Sequence, residues 1–413
     1  MKLLSTSLLN GIAVLVRTAI SFILNKILAV YVGPSGYAAI GQFQNFIQII
    51  ISFAGGAIHT AVVKYTAEYY DDERRQILVW QTAGTIVLLF SLLLTVIILV
   101  FQKPLSIYLF QSLAYQSVFV WFALSLIFFT FNTLFLAILN GKKEIKKLVV
   151  ASISGSVFSL VVTAILVIKY QLLGALIALS VYQSISFLVT FALCVRSPWF
   201  KVAYLFGKID KKVSRNFLNY AAMALVSAMC VPVSQILIRN HVISKFGVDY
   251  AGYWDAMTRL SGGYLMLVTT TLGVYYLPRL SEIKDKHEVI AEVILGYKFI
   301  LPFAIISSTL VYIFRFEIIT VLFTRSFFPM DEIFLWQLIG DVLKIGSWIL
   351  AYLMLGRAMT KLFIITEILF TVSLLVLTYL FSEYFAFEGV AIAYMVNYAI
   401  YWVLMGFLVF RAI

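Results

Sequence analysis

The chain has 413 residues, 62% of them apolar and only 12% Asp, Glu, Lys or Arg, and its formal net charge is +12. That charged fraction is about half the soluble-domain norm of roughly 25%, which excludes a soluble globular domain. The basic residues fall in short loops between apolar runs, a membrane-topology pattern, which excludes nucleic acid as a partner.

Apolar runs of about 20 residues recur from end to end, and the sequence predicts an all-α polytopic membrane protein. Twelve transmembrane helices are expected near 6–32, 36–63, 76–101, 115–139, 147–168, 173–195, 216–243, 250–278, 289–314, 333–356, 361–382 and 388–410. A closed barrel would show segments of about ten residues with alternating polarity, and none is present. The first run follows Lys2, is too long for a cleaved signal peptide and lacks a small-residue cleavage pattern, so it reads as span 1. Cys194 and Cys230 lie in apolar helical context and read as small buried hydrophobes. With both termini cytoplasmic, the inner segments hold twenty Lys and Arg and the outer segments five. That asymmetry fixes the expected orientation.

The two halves read as copies. Lys64 answers to Arg279, Gly141 to Gly356 and Gly174 to Gly389 at one identical offset in sequence, and Gly36-Tyr37 answers to Gly252-Tyr253 at an offset one longer. A near-constant offset across four helix ends implies a duplication. The expected domains are residues 1–205 and 206–413, two pseudo-symmetric six-helix bundles joined through the polar stretch 196–215. Because six is even, both bundles have one orientation, related by an axis along the membrane normal.

Nine charged residues are expected to lie in hydrocarbon: Arg17, Lys26, Arg239, Arg259, Lys298 and Lys344 against Asp255, Asp341 and Glu367. Each costs about 2.5–3.5 kcal/mol at mid-bilayer on insertion scales, so a surplus of three positive charges calls for an anionic ligand from outside the chain. Arg17, Lys26, Arg239, Arg259 and Lys298 are therefore the expected substrate-binding cations of a cavity. Arg17 and Lys26 are half a turn out of phase and do not share one helical stripe. Asp255 and Arg259 are spaced i, i+4, and Asp341 and Lys344 i, i+3, so each can form an internal ion pair. Glu367 is alone on its helix; these three acids and Lys344 are the expected structural pairs or ion-coupling groups. His59, near the inner end of span 2, reads as a packing residue. No HExxH, GxSxG, P-loop or CxxC motif occurs, and no outer loop is long enough for a catalytic domain. No enzymatic activity, cofactor or metal is expected.

Three stretches carry a family resemblance: Lys26-Ile-Leu-Ala-Val-Tyr-Val-Gly-Pro-Ser-Gly, Leu277-Pro278-Arg279-Leu280-Ser281, and Trp336-Gln337-Leu338-Ile339-Gly340-Asp341-Val342-Leu343-Lys344. With the twelve-span plan, the chain resembles the multidrug/oligosaccharidyl-lipid/polysaccharide exporter superfamily, and within it the Wzx flippases, nearly end to end. The last stretch is similar to the branch that flips the lipid III of enterobacterial common antigen; O-antigen flippases share much of it. The resemblance implies a MATE-like fold and alternating access. It implies an undecaprenyl-pyrophosphate-linked glycan as substrate, the phospholipid bilayer of the bacterial inner membrane as setting, and a polysaccharide polymerase and chain-length regulator as partners. It also implies that spans 1, 2, 7 and 8 line the cavity, which puts Arg17, Lys26, Arg239, Asp255 and Arg259 there. Two alternatives stand beside it. One is a cation/drug antiporter of the same superfamily, which the basic buried balance disfavours; the other is a membrane-embedded polymerase or ligase.

Overall fold

The computed structural model describes residues 3–272, 276, 279, 280, 283, 285–356 and 359–412. Leu277, Pro278 and Ser281 of the span 8 exit motif, together with Lys2, Lys284 and Arg357, lie outside the described residues. Those described are almost wholly helical. In order they form α1 (Leu3–Ile51), α2 (Ala57–Glu68), α3 (Glu73–Val100), α4 (Gln102–Phe110), α5 (Gln116–Gly141) and α6 (Ile145–Val195). There follow α7 (Lys211–Phe246), α8 (Val248–Thr271), α9 (Lys286–Ile313), α10 (Arg315–Leu322), α11 (Asp331–Gly356), α12 (Thr360–Tyr384) and α13 (Glu388–Ala412).

Local chemistry explains where the long helices break. A bilayer crossing needs about 20 residues, yet α1 has 49 and α6 has 51. α1 breaks at Gly33, whose φ of 68° suits a residue without Cβ, and Pro34 follows with no N–H to donate. α6 breaks at Gln171, at φ 48° and ψ −126°. A π-helical turn, Ser52–Gly56, separates α1 from α2 at Gly55. The prolines at 232, 278 and 302 lead one to expect the second half to bend more. Among the described residues, α7 and α9 instead carry Pro232 and Pro302 as continuous helices, while span 2 is interrupted by the π-helical turn at Gly55 and the break at Gly33 falls between spans 1 and 2.

Eight stretches of the described residues are long and apolar enough to cross a membrane, two of them the 40 residues Val16–Gly55 and the 51 residues Ile145–Val195. Dividing those two at their breaks and adding α7 and α8 accommodates twelve crossings. α7 and α8 stand outside the eight, and they carry Arg239, Asp255 and Arg259.

The chain divides into two compact units, residues 1–32 with 39–232, and residues 33–38 with 233–413. The division falls inside α7, at Pro232, later than the polar stretch 196–215. The reason is local: Phe217, early in α7, is buried in the core of the first unit against Tyr65. That core packs Ile58 and Val62 of α2, Val79 and Trp80 of α3, and Phe131, Phe135 and Ile138 of α5. Hydrogen bonds pin it, since Trp80 Nε1 donates to Thr66 Oγ1 at 3.0 Å and Gln76 Nε2 to the Thr66 carbonyl at 2.7 Å. In the second unit Leu265 and Val268 of α8, Val293 of α9, Ile345, Ile349 and Leu353 of α11, and Tyr401 and Met405 of α13 form one apolar cluster. Trp402 Nε1 donates to Tyr297 Oη at 2.8 Å, and that hydroxyl donates to the Gly346 carbonyl at 2.9 Å.

Candidate functional site

The second unit holds the densest buried charge. Asp255 on α8 accepts from Nη2 of Arg239 on α7 at 2.6 Å and from Nε of Arg259, one turn along α8, at 2.9 Å. Arg239 is 1% exposed and Arg259 19%, so one buried carboxylate serves two guanidiniums and the set is net positive. Aromatic faces add to the solvation: Arg239 lies 5.4 Å from the Trp254 ring centroid and Arg259 5.2 Å from that of Tyr37. Tyr37 comes from the short segment 33–38, seated on α8 where a Cβ on Gly252 would lie 1.9 Å from the Pro34 carbonyl oxygen. Its ring packs edge-on against Phe323 and Phe327 at 5.9 and 5.1 Å. Breaking such a pair costs far more than forming it gains, because the surviving charge has no water.

A second polar cluster lies on α8, α11 and α13. Asp341 is fully buried and accepts from the hydroxyls of Tyr264 and Tyr394, the latter at 2.8 Å, and from Gln337 at 3.4 Å. Lys344 turns to rings, 5.0 Å from Trp348, 5.4 Å from Tyr394 and 5.0 Å from Tyr398. No ion pair joins Asp341 to Lys344 among the described residues; both are met by the tyrosines of α13 instead. Glu367 on α12 is half-buried within Coulombic range of Lys344.

The first unit presents a different surface. A cavity of about 470 Å³ is lined by Gln44, Gln48, Ser52, Thr133, Tyr182 and Gln183 among others, and among the described residues no Asp, Glu, Lys or Arg lines it. His59, expected to be a packing residue, also lines it. Arg17 is exposed and within Coulombic range of Tyr182. Lys26 is half-buried on the same helix, beside the buried Asn25. Lys298 is exposed on a stripe of α9 shared with Ile294, Leu295 and Pro302. The expected cations are thus distributed: Arg239 and Arg259 meet on Asp255, Arg17 stands near the polar cavity, and Lys298 stands on an apolar face.

Sequence reasoning passed over Tyr37, Trp254, Tyr264 and Tyr394, since an aromatic residue in a span carries no charge signal. The amides of the cavity were equally silent. Spacing alone pointed to Asp255 and Arg259.

Residues 3–284 match the family described as "Polysaccharide biosynthesis protein". The lipid III flippase of Escherichia coli (strain K12) is 28% identical over 404 residues, covering 97% of this chain and 96% of that protein, and the lipid III flippase of Shigella flexneri matches to the same extent. Among solved structures, an inward-facing multidrug resistance MATE family transporter of the MOP superfamily is similar with a TM-score of 0.76 at 15% identity, covering 96% of this chain and 98% of that one. The lipid II flippase MurJ, in its inward closed conformation, is similar with a TM-score of 0.75 at 16% identity, covering 98% and 87%. At these identities the structures speak for the fold, which is MATE-like.

Proposed function

Because the chain belongs to the polysaccharide biosynthesis protein family, we propose that it is a flippase moving polyprenyl-pyrophosphate-linked oligosaccharide repeat units from the cytoplasmic to the periplasmic leaflet of a bacterial inner membrane. The curated relatives that span it are lipid III flippases, which favours the undecaprenyl lipid III of enterobacterial common antigen, or an O-antigen repeat unit, as the cargo. It is a carrier, with both termini cytoplasmic, and it delivers its glycan to a polysaccharide polymerase and chain-length regulator.

The observation that carries this is the Arg239–Asp255–Arg259 cluster, two guanidiniums on one carboxylate. A pyrophosphate brings about two negative charges and several acceptor oxygens, and guanidinium is the side chain suited to hold them. Arg259, the more exposed of the two, makes the contact, and Arg239 holds Asp255 in place. Arg17, Lys26 and Lys298 add positive charge along the path. A carrier of cationic drugs would need the opposite sign. Transport proceeds by alternating access, and Asp341 and Glu367 are the groups through which an ion gradient could act.

The test is a depletion experiment that reads which leaflet holds lipid-linked single repeats. Depleting the chain should strand them on the cytoplasmic side. Accumulation on the periplasmic side would indicate a polymerase or ligase and overturn the assignment.

A further inference from the structure

The polar cavity of the first unit lies in a membrane-spanning bundle, yet its wall is unlike that of a charge site. Its volume of about 470 Å³ falls within the roughly 300–1,000 Å³ usual for small-ligand pockets. Gln48, Gln183, Ser52 and Thr133 offer amides and hydroxyls, which both donate and accept, and among the described residues no carboxylate, lysine or arginine lines the wall. Among the described lining residues His59 is the one titratable cation, and Arg17 acts only from outside the wall. A ligand with formal charge would therefore find little to neutralise it there, and a purely apolar one would strand these groups. What fits is a neutral molecule dense in hydroxyls and amides with some C–H surface.

The wall is also ordered for that task. Asn132 Nδ2 donates to Gln183 Oε1 at 3.2 Å, and Gln183 Nε2 donates to the Tyr182 hydroxyl oxygen at 3.0 Å. Tyr182 therefore accepts from the protein and keeps its own proton to give. Ser52 and Thr133 hold their hydroxyls by donating to the carbonyls of Gln48 and Phe129, at 2.7 and 3.3 Å, which leaves oxygen lone pairs for a ligand donor. The rings of Phe129 and Tyr182 meet edge to face at 6.3 Å and add an apolar panel for sugar C–H groups. Behind the wall, the Oδ1 of Asn132 is buried without a protein donor among the described residues.

We infer that this cavity is a saccharide subsite: it binds uncharged sugar residues of the cargo through Gln48, Thr133, Tyr182 and Gln183, separately from the arginine cluster that takes the pyrophosphate. The inference rests on the flippase reading and names the part of the substrate that the first unit reads. Charge and glycan are then recognised by different units, the second by guanidinium and the first by amide and hydroxyl.

The experiment measures binding of two probes to the full chain in lipid nanodiscs. One is undecaprenyl pyrophosphate; the other is the same lipid bearing an N-acetylhexosamine-containing trisaccharide. The wild type should bind the glycosylated probe about tenfold or more tightly than the bare one, the effect of one or two net hydrogen bonds. Tyr182→Phe, which removes the hydroxyl and with it the acceptor of Gln183 Nε2, and Gln183→Ala should each bring that ratio towards one while the bare lipid still binds. A ratio near one in the wild type, or one unchanged in both variants, would overturn the subsite and leave the flippase assignment standing. Failure of the wild type to bind either probe would overturn both.

Discussion

Tyr37 and Tyr253, far apart in sequence, rest on the same ring: their centroids lie 5.1 and 6.2 Å from that of the fully buried Phe327. They are the second residues of the paired Gly36-Tyr37 and Gly252-Tyr253, both helical, and both pack in the second unit. Their meeting holds the α1 kink beneath Arg259 and ties the geometry of the arginine cluster to an aromatic nest.

Gly252 is the position where that nest tolerates least. A Cβ there would fall 1.9 Å from the Pro34 carbonyl oxygen, a backbone atom that no rotamer change can move. Gly252→Ala should lower the thermal midpoint by the equivalent of a few kcal/mol, about 1–3. Gly262→Ala, on the same helix with no atom within 4 Å of its Cβ, should be neutral or slightly stabilising. Melting of both variants in detergent checks the contrast.

Removing the carboxylate shared by Arg239 and Arg259 should be worse than removing the whole set. Asp255→Asn leaves two buried like charges and should cost about 3–5 kcal/mol. The triple change Arg239→Met, Asp255→Leu, Arg259→Met should recover most of that stability without recovering transport. Equal destabilisation of the two proteins would show that the charges are not energetically coupled.

For transport itself, Arg259 is the discriminating residue. Arg259→Gln should reduce flipping at least tenfold, since it removes a charge-assisted bond to pyrophosphate. Arg259→Lys should fall between, keeping the charge while losing the fork. Arg17→Ala should weaken flipping less, because Arg17 stands near the neutral cavity. Initial rates in proteoliposomes with a labelled lipid-linked glycan provide the measurement.

Asp341 is the candidate for gradient coupling, with Glu367 beside Lys344 as its relay. In vesicles with pH and sodium gradients imposed separately, one gradient should accelerate flipping, and Asp341→Asn should abolish that acceleration while leaving the gradient-free rate. Flipping indifferent to both gradients in the wild type would make the tyrosine-bound carboxylate purely structural.

Outside the spans, Lys142 in the turn between α5 and α6 has an ammonium held below the usual lysine range by burial, against the opposing pull of Glu73, Glu144 and Asp71. It donates to Gln76 at 3.0 Å and lies over Tyr70 and Trp199. The folded state binds this proton less tightly than the unfolded chain. The stabilising contribution is therefore present above the ordinary lysine pKa and is lost as pH falls through the depressed value. Amine-reactive labelling across alkaline pH should show a midpoint at Lys142 below 10.5 in the folded protein and a return towards that value on denaturation.

Much of this was written in the order of residues, and the remainder was hidden for identifiable reasons. The helical spans follow from the length of the apolar runs and the Asp255–Arg259 pair from its i, i+4 spacing, and both depend only on neighbours along the chain. The offset also recurs in the backbone, for Gln171 and Ala386, separated by the same interval as Gly174 and Gly389, both take φ 48°. A little beyond each, a Cβ on Gly174 would strike the Leu166 carbonyl and one on Gly389 that of Phe381. Those two acceptors are themselves related by that offset. By contrast, the i, i+3 spacing of Asp341 and Lys344 suggested a pair, but Tyr264 and Tyr394 reach the carboxylate from other helices. Tertiary partners of this kind leave no mark on local spacing. The cavity amides left none either, since glutamines near a helix end look like interfacial polarity.

The membership of residues 33–38 in the second unit has a consequence for how the protein is made. Pro34 waits for Gly252, and Tyr37 for Phe327, each across more than half of the chain. At about 5–20 residues per second, a ribosome delivers Tyr37 to the membrane roughly 15–60 s before the ring it will rest on. Through that interval the first crossings sit in the lipid with their kink unseated, and the insertion machinery must tolerate a tyrosine and a bent backbone awaiting partners. A gene divided after Pro232 would leave segment 33–38 on the wrong polypeptide, so two separately translated halves could reassemble only by threading that segment back into its seat.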